Sequence, residues 1–397
     1  MLETIREYAH GRIRDAVRVE EFRRKHAAHY LNVARRVDEA SEATTQVVTL
    51  RTLFYDRSNF DAALAWSLGT GADPVMGARL CAALVIFLRN SDLQTRNWLL
   101  LARQAVDAAE YPELFADLTV AAAAVFNYSP DPQASSQEMA RAIEVYRSGG
   151  NVLGLVNALG ITSFTHRMTG DFRSAAVAAE EAVALARTLP GTRHLAQVLY
   201  HFGQSVTWEE PERAALLFRE ILEIYDAGGP DRIFSSTLSA LAEVEYRLGR
   251  VDVACDLAKR AAKLLEPEPD IFAFPRAVFL GEYSAYALTL GEIAAAREAA
   301  HEALRIELDL GMETFAAFVI QHLALASALL GDVRRAALLL GYCTKATENT
   351  SLGIDKDFRE RAMSLVHAHL SPNEVRDLLG DGAGWNLDRA AEEAFRV

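Results

Sequence analysis

Four glycine-led turns recur along the chain with helical stretches between them: Gly170-Asp171, Gly249-Arg250, Gly291-Glu292 and Gly331-Asp332. They lie 79, 42 and 40 residues apart, and Glu209-Glu210-Pro211 divides the first interval near its midpoint. A period of about 40 residues limits the fold more than any other feature, because self-similarity at that length marks stacked supersecondary units rather than one wrapped core. The residues after each glycine agree in kind. An apolar group follows two positions on (Phe172, Val251, Ile293, Val333) and an alanine five on (Ala175, Ala254, Ala296, Ala336), with Ala182, Ala261, Ala303 or Cys343 twelve on. Small residues at those offsets let one helix lie close against its partner, where bulk would hold the axes apart.

Each glycine is preceded by apolar groups at spacings of three and four, which predicts helices over Leu153–Met168, Ser235–Leu248, Ala277–Leu290 and Thr314–Leu330. Breakers separate the units: Gly149-Gly150, Pro190-Gly191, Gly228-Gly229-Pro230, Pro267 to Pro269, and Gly311. Carried backwards, the period places further turns near Ser129-Pro130 and Asn90-Ser91. Helix, turn, helix is thus repeated about seven times between residues 75 and 350. The pattern resembles tetratricopeptide repeats, with a period longer than the usual ~34 residues and nearer that of HEAT-type repeats. The expected fold class is all-α, a right-handed superhelical solenoid of about seven tetratricopeptide-like hairpins, in which stacked pairs bury a shared core and leave a concave groove as the working surface.

Three segments follow: 1–70, an N-terminal helical stretch outside the repeat; 71–350, the array; and 351–397, a C-terminal helical cap. In the first, Leu2, Ile5, Ala9 and Ile13 mark one helix face, and Phe22, His26, His29, Tyr30, Val33 and Val37 mark a second. Between Arg6 and Arg36 stand nine Arg or Lys and four Asp or Glu, a basic face suited to solvent or to docking on another domain.

Composition narrows the function. With 51% hydrophobic and 24% charged residues the chain has a folding composition, and its net charge of −13 opposes general attraction to nucleic-acid phosphates or an anionic bilayer. Cys81, Cys255 and Cys343 are too scattered for a metal knuckle or disulfide framework, so a reducing, cytoplasmic setting is expected. The longest apolar runs fall short of the ~18 residues a membrane span needs.

Met1 to Ala9 (Met-Leu-Glu-Thr-Ile-Arg-Glu-Tyr-Ala) resembles the helix that closes the winged-helix subdomain after the NB-ARC-type nucleotide-binding core of bacterial signal-transduction ATPases of the STAND class. Arg23 to Leu31 and Asn59 to Trp66 are similar to the two segments that come next in that family. Ala336 to Gly341 and Gly384 to Ala394 are similar to its closing motifs. The resemblance implies a sensor region whose ligand restrains or releases an ATPase, as in winged-helix or LuxR-type transcriptional regulators and some cyclase-linked proteins. The family's own activity does not carry over, because no G-x-x-x-x-G-K-[ST] phosphate cradle occurs in this sequence. A start at Met1, inside what resembles a winged-helix end, implies a fragment, a misplaced start or a split system.

Chemical motifs are sparse. His26 and His29 have the spacing of helix-borne metal ligands but sit on an apolar stripe without a third ligand, and no G-x-S-x-G elbow occurs. Glu209, Glu210 and Glu212 suit a helix start, where the dipole favours acids. No catalytic residue, metal or cofactor is therefore expected. In tetratricopeptide-like arrays the first helix of each pair lines the concave face, and its groove positions fall here on Asn157, Phe164, Arg167, Ser239, Glu243, Tyr246 and Gln321. The expected function is a non-catalytic sensor that takes a peptide, protein or small ligand and meets an NB-ARC-type ATPase core in cis or in trans, without direct nucleic-acid or membrane contact. The alternative is a free-standing protein–protein interaction scaffold.

Overall fold

The computed structural model describes residues 16–40, 46–89, 91, 93–126, 132–225, 232–266, 269–347 and 353–397. The expected first helix face (Leu2 to Ile13), the opening motif, the Ser129-Pro130 turn and Gly228-Gly229-Pro230 lie outside them. The described residues form 21 α-helices with one π-helical turn and no strand, in two compact units, 1–206 and 207–397.

The first unit opens with α1 (Ala16–Ala40), α2 (Gln46–Tyr55) and α3 (Arg57–Leu64), which runs into a π-turn over Ala65–Gly69. Helical pairs follow: α4 and α5 (Pro74–Ala83, Val85–Arg89) with α6 (Leu93–Ala105), α7 (Pro112–Phe126) with α8 (Pro132–Gly149), and α9 (Val152–Met168) with α10 (Phe172–Ala186). The unit closes on α11 (Arg193–Val206). Segment 16–69 and the first repeats share one core. Ala27, Leu31, Phe60 and Leu64 are buried together with Leu80, Phe87, Leu118 and Val125, and Tyr30 and Phe54 pack against them. The Asn59 to Trp66 segment makes its contacts inward: Phe60, Ala63 and Leu64 are fully buried, and Trp66 Nε1 donates to Glu20 Oε1 at 2.7 Å. The apolar stripe expected on α1 is met in part: Tyr30, Val33 and Val37 pack against the core. Ala27, Leu31 and Ala34 are the buried positions, while Phe22 is 56% exposed and His29 stands outside the core.

The second unit holds α12 (Pro211–Ile224), then α13 (Arg232–Arg247) with α14 (Val251–Leu264), α15 (Pro269–Leu290) with α16 (Ile293–Asp309), and α17 (Glu313–Leu329) with α18 (Val333–Ala346). It ends on α19 (Gly353–His369), α20 (Pro372–Ala383) and α21 (Leu387–Ala394). Within α15 the backbone departs from helix at Phe272, three residues before Pro275, whose ring cannot sit in an unbroken helix.

The glycine turns share one mechanism. Gly170, Gly249, Gly291 and Gly331 have φ between 78° and 91°. The next residue's N–H donates back across the helix end, Asp171 to His166 O, Arg250 to Glu245 O, Glu292 to Ala287 O and Asp332 to Ser327 O, which closes orphan carbonyls in a Schellman motif. That residue is also the N-cap of the following helix; Asp171 and Asp332 accept from the N–H three residues on at 3.0 and 3.1 Å. Gly150 and Gly311 end α8 and α16 in the same way. The expected seam is buried throughout: Ala175, Ala254, Ala296, Ala336, Ala182, Ala261, Ala303 and Cys343 are at most 1% exposed. Glu210-Pro211 turns the chain without glycine, Pro211 supplying the preset φ of a helix start.

The cap is held by backbone contact. A Cβ on Gly341 of α18 would lie 2.2 Å from Leu379 O, and one on Gly382 of α20 would lie 1.9 Å from Leu338 O. Gly382→Ala is therefore expected to lower stability by about 3 kcal/mol through overpacking. Gly380→Ala, whose Cβ meets open space, is expected to raise it by about 0.5–1 kcal/mol. Urea denaturation of the two variants checks both signs.

Candidate functional site

In the second unit, Ser239, Glu243 and Tyr246 follow one another at spacings of four and three along α13 and so share a face. The adjoining α15 brings Glu282 and Tyr286 to that face. Ser239 Oγ donates to Glu282 Oε2 at 2.7 Å, and the rings of Tyr246 and Tyr286 lie 5.2 Å apart at 31°. Glu243 Oε1 accepts from Arg247 Nε and Nη2 at 3.2 and 3.0 Å, and the Arg247 guanidinium carbon stands 3.2 Å from the ring centre of Trp208, itself 58% exposed. Burial pushes the Glu282 carboxyl up to about 7; the Ser239 hydrogen bond opposes the rise and the Glu243 charge adds to it. Burial likewise raises the Tyr286 phenol well above its usual range, with Glu282 and Glu243 adding to the effect. Tyr246 is raised by burial and then by Asp357.

Gln321 is fully buried and accepts from Arg359 Nε at 2.9 Å, while Arg359 Nη2 donates to Thr347 Oγ1 at 2.6 Å. Its place is the contact between α17 and α19. Glu282 and Tyr286 were not among the groove positions expected from the sequence. The available signal was an acid within the apolar run of α15, one turn before a tyrosine.

In the first unit Asn157, Phe164 and Arg167 are half-buried on α9. The Arg167 guanidinium lies 5.3 Å from the Phe164 ring centre, and Phe164 meets His201 of α11 at 6.1 Å. Burial, then Arg167 and Arg89, push the His201 imidazole down to about 4, so it is neutral at pH 7. This face carries positive charge and an aromatic. His26 and His29 instead flank Tyr30, their ring centres 4.7 and 5.0 Å from it. Among the described residues no three His, Cys, Asp or Glu gather as metal ligands, and no helix is long and apolar enough to cross a membrane. Cys81, Cys255 and Cys343 are free and buried, and burial raises the Cys81 and Cys255 thiols, the latter to about 11.

No family model matches the chain, and no curated protein matches it. Among solved structures it is similar to a signal transduction ATPase with numerous domains (STAND) that carries a tetratricopeptide repeat sensor, from Pyrococcus horikoshii. That likeness has 15% identity and a TM-score of 0.58, covering 89% of this chain and 56% of that one. It is also similar to BtubC (BKLC) from P. vanneervenii, 17% identical over 62% of this chain and 95% of that chain, at a TM-score of 0.43. The first likeness shows the fold, a tetratricopeptide-like helical repeat region, and the chain spans about half the length of that ATPase.

One further buried acid belongs to the repeat core. Glu307 of α16 is 2% exposed, its Oε2 has no hydrogen-bond partner among the described residues, and burial alone pushes its carboxyl up to about 8. The folded chain therefore holds a proton that the unfolded chain releases near pH 4.5, and stability falls as pH rises from there through about 8. Glu307→Gln is expected to stabilise the protein at pH 8 by roughly 2–4 kcal/mol, a gain that vanishes toward pH 5; denaturation midpoints at the two pH values measure it.

Proposed function

We propose that this chain is the sensor region of a STAND-type ATPase regulator, bacterial and cytoplasmic, with a transcriptional output of winged-helix or LuxR type. The observation that carries the proposal is the fold likeness to a STAND protein with a tetratricopeptide repeat sensor, which runs over 89% of the chain. The sequence resemblance of Arg23 to Leu31 and Asn59 to Trp66 to that class supports it. Residues 1–70 are then the end of a winged-helix subdomain with its linker, 71–350 the array, and 351–397 its cap.

Recognition falls to the first helices of the pairs, where Asn157, Phe164 and Arg167 make one polar and aromatic face and Ser239, Glu243 and Tyr246 another. Both are faces of mixed polarity, suited to a peptide or protein segment. The ligand acts on the ATPase by preferring one arrangement of sensor and core over the other; equal affinity for both would switch nothing.

The protein is tested by capture from its own cells through a tag on its C-terminus, followed by intact-mass and peptide analysis. The expected result is an NB-ARC-type core, either as peptides preceding Met1 or as a co-purifying chain, with ligand affinity changed several-fold by the core's nucleotide state. A species near 43.6 kDa with partners but no ATPase would favour the scaffold function instead.

A further inference from the structure

We infer that the face made by α13 and α15 binds the cationic side chain of a peptide, lysine or arginine, with Glu282 as its counter-ion and the Tyr246–Tyr286 pair as its aromatic wall. This rests on the proposal that the first helices of the pairs form a peptide-binding surface, and it names what that surface selects.

The groups converge from two helices. Tyr286 is 5% exposed and stacks on Tyr246. Its phenol lies within electrostatic reach of Glu282, Glu243, Tyr246 and Arg247, so four polar side chains from two helices converge around it. Ser239, 8% exposed, gives its hydroxyl to one oxygen of Glu282.

Charge decides the ligand. The cation that acts on the tyrosine pair, Arg247, is already matched: its guanidinium hydrogen bonds go to Glu243, and its plane is covered by Trp208. Among the described residues Glu282 is met by a serine hydroxyl and by the like charge of Glu243, so ionising it here is unfavourable. A lysine ammonium or arginine guanidinium entering beside the tyrosines would supply the missing charge and gain cation–π contact with the same rings. An anionic ligand would meet Glu243, Glu282 and Asp357 without a free cation to balance it.

A proton accompanies the ligand. Glu282 is half-protonated near pH 7 in the free chain and ionises when a cation docks, so binding releases protons and tightens as pH rises from 6 to 8. The charged or titratable groups facing it are Glu243, Tyr246 and Arg247 of α13 and Tyr286 of α15, with Asp357 of α19 beside Tyr246.

The experiment presents the full chain with an array of random nonapeptides having lysine at the centre, and with the same peptides carrying acetyl-lysine or glutamate there. The wild type is expected to retain a subset of lysine peptides at least ten-fold better than their acetyl-lysine forms. Glu282→Gln, checked by circular dichroism for unchanged helix content, is expected to abolish that preference while peptide retention persists. Calorimetry in two buffers of different ionisation enthalpy should detect proton release with wild type and none with Glu282→Gln. Retention that ignores lysine, or a preference that survives in Glu282→Gln, overturns the inference and leaves the peptide-binding surface standing. Retention of no peptide at all overturns both.

Discussion

A helix that stops on a left-handed glycine and restarts within three residues is the element on which the repeat depends. At Gly170, Gly249, Gly291 and Gly331 positive φ lets the next N–H reach back to an orphan carbonyl, and the same residue then caps the helix that follows. An alanine there would cost about 1–2 kcal/mol in the left-handed region, and four such turns together would weigh heavily against a total stability of about 5–15 kcal/mol. The tight turn also fixes the antiparallel approach of each pair. Alanines five and twelve residues on then lie at the contact, and their small size admits the close spacing that buries them. Turn geometry and seam composition are consequences of each other.

The ends of the array need different solutions, because a terminal helix has a neighbour on one side only. At the C-terminal end α18 and α20 cross at Gly341 and Gly382, where main chain meets main chain. Next to that crossing Glu393 of α21, its side chain 10% exposed, accepts from Arg396 at 2.6 Å and lies 2.9 Å from Arg389, with Arg335 of α18 at 3.6 Å. A largely buried carboxylate is tolerable when several guanidinium groups meet it, and here they tie the last helix to the array. In the first unit the corresponding work falls to aromatics: Phe60 meets Tyr30 at 5.5 Å and Phe87 at 5.8 Å, so segment 16–69 and the first repeat helix share one hydrophobic cluster.

Much of this was legible from residues alone, for a physical reason. Glycine turns and alanine seams are local, and local chemistry repeats in the sequence at the period of the structure. Helices expected over Leu153–Met168 and Thr314–Leu330 are found at Val152–Met168 and Glu313–Leu329. Faces were harder. On α1 the polar and apolar positions interleave, so the stripe drawn through Phe22 and His29 is displaced from the buried Ala27, Leu31 and Ala34. Gln321 is polar and one turn from apolar neighbours whichever way it faces; only the position of Arg359, 38 residues away, shows that it serves a helix contact. Glu282 was hidden for the converse reason. An acid in an apolar run one turn before a tyrosine marks it, but the Ser239 and Glu243 side chains that act on it stand on another helix.

In the proposed sensor role such a site would have to be converted into a difference between states, and the magnitudes limit how. One charge-assisted hydrogen bond contributes about 1.5–3 kcal/mol, whereas moving a two-state equilibrium from one side fully to the other needs about 5.5 kcal/mol of differential affinity. A single side-chain pocket is therefore insufficient by itself. Under the proposed function, equivalent positions on the other first helices of the same unit would supply further contacts in register with the period. In the first unit the equivalent face carries Arg167 over Phe164 beside a neutral His201, opposite in charge to the face with Glu243 and Glu282. The two faces thus differ in charge on the same kind of helical scaffold, and under the proposed function a few groove positions would set what each selects while the glycine turns and alanine seam hold them in place.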